Sequence, residues 1–118
     1  AASDVYKRQV DVLAHNAGTV TGADDVRNLA LDLRGRFGSR PAVVAVAAES
    51  KGRPLIVVAT TEEARAEGVS AGDLVKEACG VLGGGGGGKP DIAQGGGQDP
   101  SKITDALNGL VASVRDRG

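Results

Sequence analysis

The 118-residue sequence predicts an α/β domain, with some α+β character, in which a mixed central β-sheet is flanked by helices. Two continuous apolar runs, at 41–48 and 54–59, are rich in Val and Ile and too short to be independent helices. Such runs are typical of strands buried on both faces. Amphipathic stretches with helix start signals surround these runs. The predicted element order is β-α-β-β-α-α-β-α.

The N-terminal part of the chain divides into two segments. The alternating run VDVLAHNAG at 10–18 predicts the first strand. The preceding segment, AASDVYKRQ at 1–9, fits none of the patterns that follow it. We interpret 1–9 as a non-native or truncated-end segment, so that a single domain spans 10–118.

The next helix and a hairpin are predicted from local signals. Thr21 and Asp24 resemble a capping box, and Gly38 is the expected helix end. Apolar residues recur at helical spacing and define the buried face, namely Val26, Leu29, Ala30, Leu33 and Phe37. Glu49–Arg53 has the turn chemistry of a hairpin, so the two apolar strands should pair antiparallel.

Three further helices follow. Thr60 with Glu63 resembles a second capping box, Gly68 should end that short helix, and Ser70 should cap the next one. The expected apolar stripe of that next helix is Leu74, Ala78, Val81 and Leu82. A short strand is predicted over 91–94. Asp99-Pro100 is a start signal for the last helix. The apolar face of the last helix consists of Ile103, Ala106, Leu107, Leu110, Val111 and Val114.

Composition argues against several classes of function. The single cysteine, Cys79, excludes an internal disulfide and a Cys-based structural zinc site, and we interpret it as a packing residue. His15 is the only histidine, and no catalytic constellation is evident. With no signal peptide and no long apolar run, we expect a soluble, cytoplasmic protein without a membrane partner.

Charge gives a local signal rather than a global one. The formal net charge is −1, so bulk charge does not argue for nucleic acid. Five basic residues within twenty positions are expected to form either one basic edge or a solvated rim, namely Arg34, Arg36, Arg40, Lys51 and Arg53.

The stretch GGGGGGKP at 83–90 matches all but the last position of a phosphate-binding P-loop. Its surroundings are wrong for that loop, because it follows a helix rather than a strand. Pro90 also favours extended geometry at Lys89, and no Ser or Thr hydroxyl follows the lysine to bind Mg²⁺. These surroundings argue against an NTPase.

The chemistry of this stretch still suits a ligand. Glycine allows close backbone approach, and runs of free amide groups bind anions. Lys89 adds a positive charge, and Gln94 offers both a donor and an acceptor. This combination favours a sugar-phosphate backbone over the alternative, a flexible linker. The predicted contact residues are Gly84, Gly85, Gly86, Gly87, Gly88, Lys89, Gln94 and Gly95, with Arg34, Arg36 and Arg40 as additional candidates.

The segment GGGGGGKPDIAQGGG at 83–97 resembles the glycine-rich signature of the C-terminal domain of alanyl-tRNA synthetases. In that family a Gly tract is followed by Arg or Lys, Pro, two residues, Ala-Gln and Gly. The upstream AGDLVKEAC at 71–79 and the final amphipathic helix are similar too. The DHH-associated domain of phosphoesterases belongs to the same fold family, but it carries Gly-Gly-Gly-His followed by Ala-Ala-Gly. Lys89-Pro90 therefore favours the synthetase branch.

The resemblance implies a module that binds tRNA-Ala at its outer corner and can assist homodimerisation, without a catalytic site of its own. It implies no cofactor on this chain, since ATP, Mg²⁺ and Zn²⁺ would act in other domains of the parent enzyme. Two alternatives stay open. One is the substrate-binding domain of a DHH-family phosphoesterase or exonuclease. The other is a self-association module in which the glycines let two backbones pack closely.

Overall fold

The computed structural model describes residues 10–117. Five strands form a mixed sheet with the order β1-β2-β3-β5-β4. The strands are β1 Asp11–Thr19, β2 Ala42–Ser50, β3 Arg53–Thr60, β4 Gly85–Gly88 and β5 Ile92–Gly96. The helices are α1 Ala23–Arg36, α2 Glu62–Ala66, α3 Ala71–Leu82 and α4 Ile103–Arg117, and a short 3-10 helix, Pro100–Lys102, leads into α4.

The predicted fold class is confirmed, with one strand added. β1 pairs parallel with β2, and every other neighbouring pair is antiparallel, so the sheet is mixed. The added strand is β4, which consists of four glycines and lies within a tract for which no strand was predicted. β4 and β1 are the two edges of the sheet.

Helices cover both faces of the central strands, which explains why β2 and β3 are continuous apolar runs. Alternate residues of these strands pack on opposite sides. α1 packs on one face, where Val44, Val46 and Val57 are buried. α3 and α4 pack on the other face, which includes Ile56 and Val58. In the part of the chain that the structure describes, no helix is long and apolar enough to cross a membrane.

The predicted antiparallel hairpin between β2 and β3 is confirmed, with Ser50 paired to Arg53. The two residues between them, Lys51 and Gly52, have φ angles of +55° and +78°. Positive φ at both central positions is the geometry of a type I′ turn, whose twist matches that of the flanking strands.

Two of the predicted capping boxes are wrong. The N-cap of α1 is Gly22, and the hydroxyl of Thr21 instead donates to the Asp25 carboxylate at 2.7 Å. The N-cap of α2 is Thr61, whose side-chain oxygen accepts from the Ala64 amide. Thr60 is the last residue of β3, so its backbone belongs to the sheet and its hydroxyl donates to the Pro90 carbonyl.

The predicted start of the last helix is confirmed and the predicted stripe of α3 needs one correction. The Asp99 carboxylate accepts from the Ser101 amide at 3.0 Å, and the hydrogen bonds from Ser101 lower the pKa of Asp99. On α3, Val81 is 42% exposed, and Val75 and Cys79 are buried instead. Val75 lies under β4, whose position decides which side of the helix is covered.

Candidate nucleic-acid interface

The glycine tract folds into a β-hairpin at one edge of the sheet. β4 and β5 pair antiparallel, and the Lys89 amide donates to the Ile92 carbonyl at 3.1 Å to close the turn. Two side-chain hydrogen bonds help to attach the turn to the domain. The Thr60 hydroxyl donates to the Pro90 carbonyl at 2.6 Å, and Arg34 donates to the Asp91 carbonyl at 3.3 Å. Lys89 is therefore held on a fixed turn rather than in a free loop.

On one face, glycine is required because α3 and β5 approach too closely for any side chain. A Cβ on Gly86 would lie 2.5 Å from the Cα of Gly95, and one on Gly95 would lie 2.5 Å from the Sγ of Cys79. A Cβ on Gly72 of α3 would similarly lie 2.9 Å from the Gly88 carbonyl oxygen. Such distances leave no room for a methyl group. These glycines therefore serve packing between the helix and the hairpin.

The other face of the hairpin is open. Gly87 is paired with Gln94, and Gly85 with Gly96. Because paired residues share a face, all four lie on the side of the sheet on which α1 packs. A Cβ on Gly85 would meet nothing within 4 Å and one on Gly87 only the Cε of Lys76, whereas a Cβ on Gly96 would lie 2.8 Å from the Pro54 carbonyl oxygen. We call this surface, formed by Gly85, Gly87, Gln94 and Gly96, the glycine platform.

Basic side chains surround one end of the glycine platform. A depression of about 340 Å³ there is lined by Arg27 of α1, Lys89 and Gln94, together with the backbone of Gly87 and Gly88. Within residues 10–117, neither Arg27 nor Lys89 takes part in an ion pair.

Two more cations extend this positive group. The Cε of Lys76 lies 3.7 Å from the position that a Cβ on Gly87 would occupy. Arg34 reaches the same turn through the Asp91 carbonyl. Asp91 also lines the depression, so the surface is basic without being free of negative charge.

Backbone donors lie along the free edge of β4. The hydrogen bond from Lys89 to Ile92 makes this pair a hydrogen-bonded one. Hydrogen-bonded and non-hydrogen-bonded pairs alternate in an antiparallel ladder, so Gly86 and Gly88 direct their N–H groups away from β5. An edge with amide donors and no side chains can receive an anion at close range.

The structure brings together only part of the predicted site. Gly85, Gly87, Lys89 and Gln94 share the open surface, whereas a Cβ on Gly84 would lie 2.2 Å from the Gly96 carbonyl oxygen, so Gly84 serves packing. Gly86, Gly88 and Gly95 lie on the α3 face of the hairpin, so they do not belong to the glycine platform and contribute only backbone atoms.

Of the two alternatives for the five basic residues, the single basic edge does not hold. β2 is nine residues long, which corresponds to about 26 Å. Arg40 precedes the start of β2 and Lys51 follows its end, so at least this length separates them. Arg40 forms an ion pair with Asp11 of β1, at 2.6 Å, beside the opposite edge of the sheet. Arg36 pairs with Asp32 at 3.3 Å. Because Arg36 follows Arg34 by two residues, it lies on the other side of α1.

Sequence reasoning missed Arg27 and Lys76. Arg27 and Arg34 are seven residues apart and therefore share one face of α1, two turns from each other. That spacing was available as a signal. The side of α1 that borders the hairpin could not be predicted, because it depends on the addition of β5 and β4 to the sheet beyond β3.

Cys79 acts as a packing residue, as expected. It is fully buried in the core beneath the hairpin. Burial raises the pKa of its thiol, only partly offset by a hydrogen bond with the backbone of Gly96. The neutral thiol is thus the form that the fold accommodates.

Residues 9–116 match the model of the DHHA1 domain family. The chain therefore belongs to the DHHA1 family, a class of small α/β domains whose fold is the one described above. Among solved structures, the C-Ala domain of alanyl-tRNA synthetase from Aquifex aeolicus matches it with a TM-score of 0.71 and 30% identity, over 90% of this chain and 89% of that one.

Relatives of known name identify the branch of the family. The chain is 60% identical to an alanine–tRNA ligase of Kineococcus radiotolerans over 99% of its length, and 53% identical to that of Leifsonia xyli over 89%. It spans only 12–13% of the length of these relatives. It corresponds to the C-terminal domain of alanyl-tRNA synthetase. This finding favours the synthetase branch over the phosphoesterase alternative.

Proposed function

We propose that this domain is the tRNA-binding module of an alanine–tRNA ligase, and that it contacts the outer corner of tRNA-Ala with its glycine hairpin. The observation that carries the proposal is the uncovered glycine platform bordered by Arg27 and Lys89, neither of which has an ion-pair partner among the described residues. Cations and backbone amides at an open surface suit the phosphates of a folded RNA.

The proposed contacts divide by chemistry. Lys89, Arg27 and the outward amides of β4 would bind phosphate oxygens. Gln94, which is exposed at the centre of the glycine platform, would exchange hydrogen bonds with a ribose 2′-hydroxyl. No aromatic residue lines the depression. The domain would therefore recognise the path of the RNA backbone rather than stack on unpaired bases.

The domain would support catalysis that takes place elsewhere. We propose that it works without a cofactor, and that ATP, Mg²⁺ and Zn²⁺ act in other domains of the parent ligase. The proposed cellular site is the cytoplasm, where a tRNA partner is available.

The first experiment measures binding of the chain to a tRNA-Ala transcript at 50 and 150 mM salt, beside an unrelated hairpin RNA. Lys89→Ala and Arg27→Ala should each weaken binding to tRNA-Ala several-fold, because each removes one phosphate contact. Arg115→Ala is the matched control. It removes an exposed arginine beside β1, at the opposite edge of the sheet.

Three results would contradict the proposal. One is the absence of tRNA binding at 50 mM salt. Another is equal affinity for the unrelated hairpin RNA. The third is an equal loss of affinity in Arg115→Ala and Lys89→Ala, since that would indicate a general charge effect. Circular dichroism of each variant would check that the fold is retained.

We propose homodimerisation as a second role of the same edge. β4 is an edge strand with outward amides and no side chains, and such an edge is open to pairing with the same strand of a second copy. The cations around it oppose this pairing, because two copies would bring like charges together. The two roles therefore compete for one surface and respond oppositely to salt.

A further inference from the structure

A second depression lies at the far end of the glycine platform. Its volume is about 430 Å³, and its lining includes Arg53, Gln98 and the backbone of Gly84, Gly85 and Gly97. Arg53 is the first residue of β3 and is exposed. None of the described residues forms an ion pair with it.

The two depressions open on the same face of the sheet. Along β3, side chains on one face alternate with those on the other, so Arg53 shares a face with Leu55 and Val57. Leu55 and Val57 both belong to the core on the α1 side. They are paired with Gly96 and Gln94, two residues of the glycine platform. Arg53 thus borders the glycine platform directly.

The length of the surface follows from the strand register. The Lys89 turn is level with Ile92, which is paired with Ala59 of β3. Arg53 lies six residues before Ala59, a distance of about 20 Å along the strand. A basic residue therefore stands at each end of the surface, and Arg27 lines the same depression as Lys89.

The charge distribution selects a polyanion as the occupant of this face. Lys89 and Arg27 line the depression at one end of the glycine platform, and Arg53 lines the depression at the other end. The acidic side chains next to it are few. Asp91 is adjacent to the turn, and Asp24 precedes Arg27 by one turn of α1. A second copy of the domain on this face would oppose cation to cation, whereas an RNA strand would neutralise them.

We propose that the RNA backbone runs lengthwise along the glycine platform, parallel to β5, and that Arg53 holds a phosphate at the end opposite Lys89. This inference rests on the proposed tRNA-binding function and extends it by a second phosphate subsite. Glycine at positions 85, 87 and 96 leaves Gln94 as the one side chain of the glycine platform along this path, so that the strand can lie close to the sheet.

The test measures the affinity of the 118-residue chain for a tRNA-Ala transcript over a range of salt concentrations. For each phosphate contact that is lost, the slope of log K against log salt should fall in magnitude by about 0.7 to 0.9. We expect this decrease in slope for Arg53→Ala and also for Lys89→Ala. The double variant should show a decrease equal to the sum of the two. Arg53→Lys should retain most of the slope, because it keeps the charge.

The outcomes separate this inference from the function on which it rests. If the unmodified chain does not bind tRNA-Ala, the proposed function itself fails. A second case is that the unmodified chain binds tRNA-Ala and Lys89→Ala lowers the slope, but Arg53→Ala behaves like the Arg115→Ala control. In that case only the second subsite is overturned. A decrease with Arg53→Ala that Arg53→Lys does not restore would also overturn it, since the effect would not come from charge.

Discussion

At the scale of single residues, glycine has two distinct uses in the hairpin. On the α3 side, glycine makes room for backbone and for Val75, because the hairpin lies directly on the helix. On the α1 side, a Cβ on Gly85 would meet nothing within 4 Å, and glycine there leaves space for a ligand. Neighbouring positions in β4 should therefore differ sharply in their tolerance of a methyl group.

Gly86→Ala should destabilise the domain by about 1–3 kcal/mol, the usual cost of overpacking. Its methyl group would meet the Cα of Gly95 at 2.5 Å and the Cγ1 of Val75 at 2.9 Å. Gly85→Ala is the control, because its methyl group meets nothing within 4 Å, and its stability should change by less than about 1 kcal/mol. Urea unfolding of both variants checks this. Equal midpoints would show that β4 does not pack on α3 as described.

At the same scale, the hairpin residues and Arg34 of the candidate site could be predicted from the sequence, whereas Arg27 and Lys76 could not. The composition of 83–97 and the Lys89-Pro90 pair could be recognised from local chemistry alone. Arg27 could not, because an exposed arginine on a helix is ordinary until its neighbours are known. Its position beside Gln94 depends on packing between segments that are far apart in the chain.

At the scale of elements, β4 shows how tertiary contacts override propensity. Glycine is depleted in strands, so a run of glycines predicts a loop. The run becomes a strand because β5 pairs with it and α3 packs against it. The other four strands and the four α-helices have apolar patterns or start signals of their own and were predicted from them. The two misassigned caps, at Thr21 and Thr60, are each displaced by one residue from the true N-cap.

The N-cap of α2 gives the test at this scale. The Thr61 hydroxyl accepts from the Ala42 amide at 2.9 Å and from the Ala64 amide at 3.3 Å, so it joins the start of β2 to the start of α2. Thr61→Ala should cost about 1–2 kcal/mol of unfolding free energy, because two buried donors lose their partner.

Ser70→Ala is the matched control for Thr61→Ala. Ser70 occupies the N-cap position of α3 without a side-chain hydrogen bond to the helix, so its loss should change stability by less than about 0.5 kcal/mol. Thr61→Ser should recover most of the stability lost in Thr61→Ala. Thermal unfolding of the three variants would decide. Equal losses at Thr61 and Ser70 would contradict the assigned caps.

At the scale of the whole molecule, the two edges of the sheet differ in chemistry. The β1 edge carries half-buried apolar residues, Val10, Val12 and Leu13, which line a groove with Phe37. The β4 edge carries glycine and is surrounded by cations. The net charge of −1 is a sum over the whole chain, so it does not report this local difference.

Salt separates the two roles proposed for the β4 edge. Raising salt from 50 to 500 mM should increase the dimer fraction, because screening weakens the repulsion between the cations of two copies. The same change should weaken tRNA binding, because each counterion released from the RNA gains less entropy when the bulk salt concentration is higher. At low salt, added tRNA should leave no dimer formed through β4. Sedimentation velocity at several protein concentrations measures all three effects.

A dimer that is stable at 50 mM salt and remains when tRNA is bound would contradict pairing through β4. The apolar β1 edge would then be the surface with the chemistry to hold two copies together.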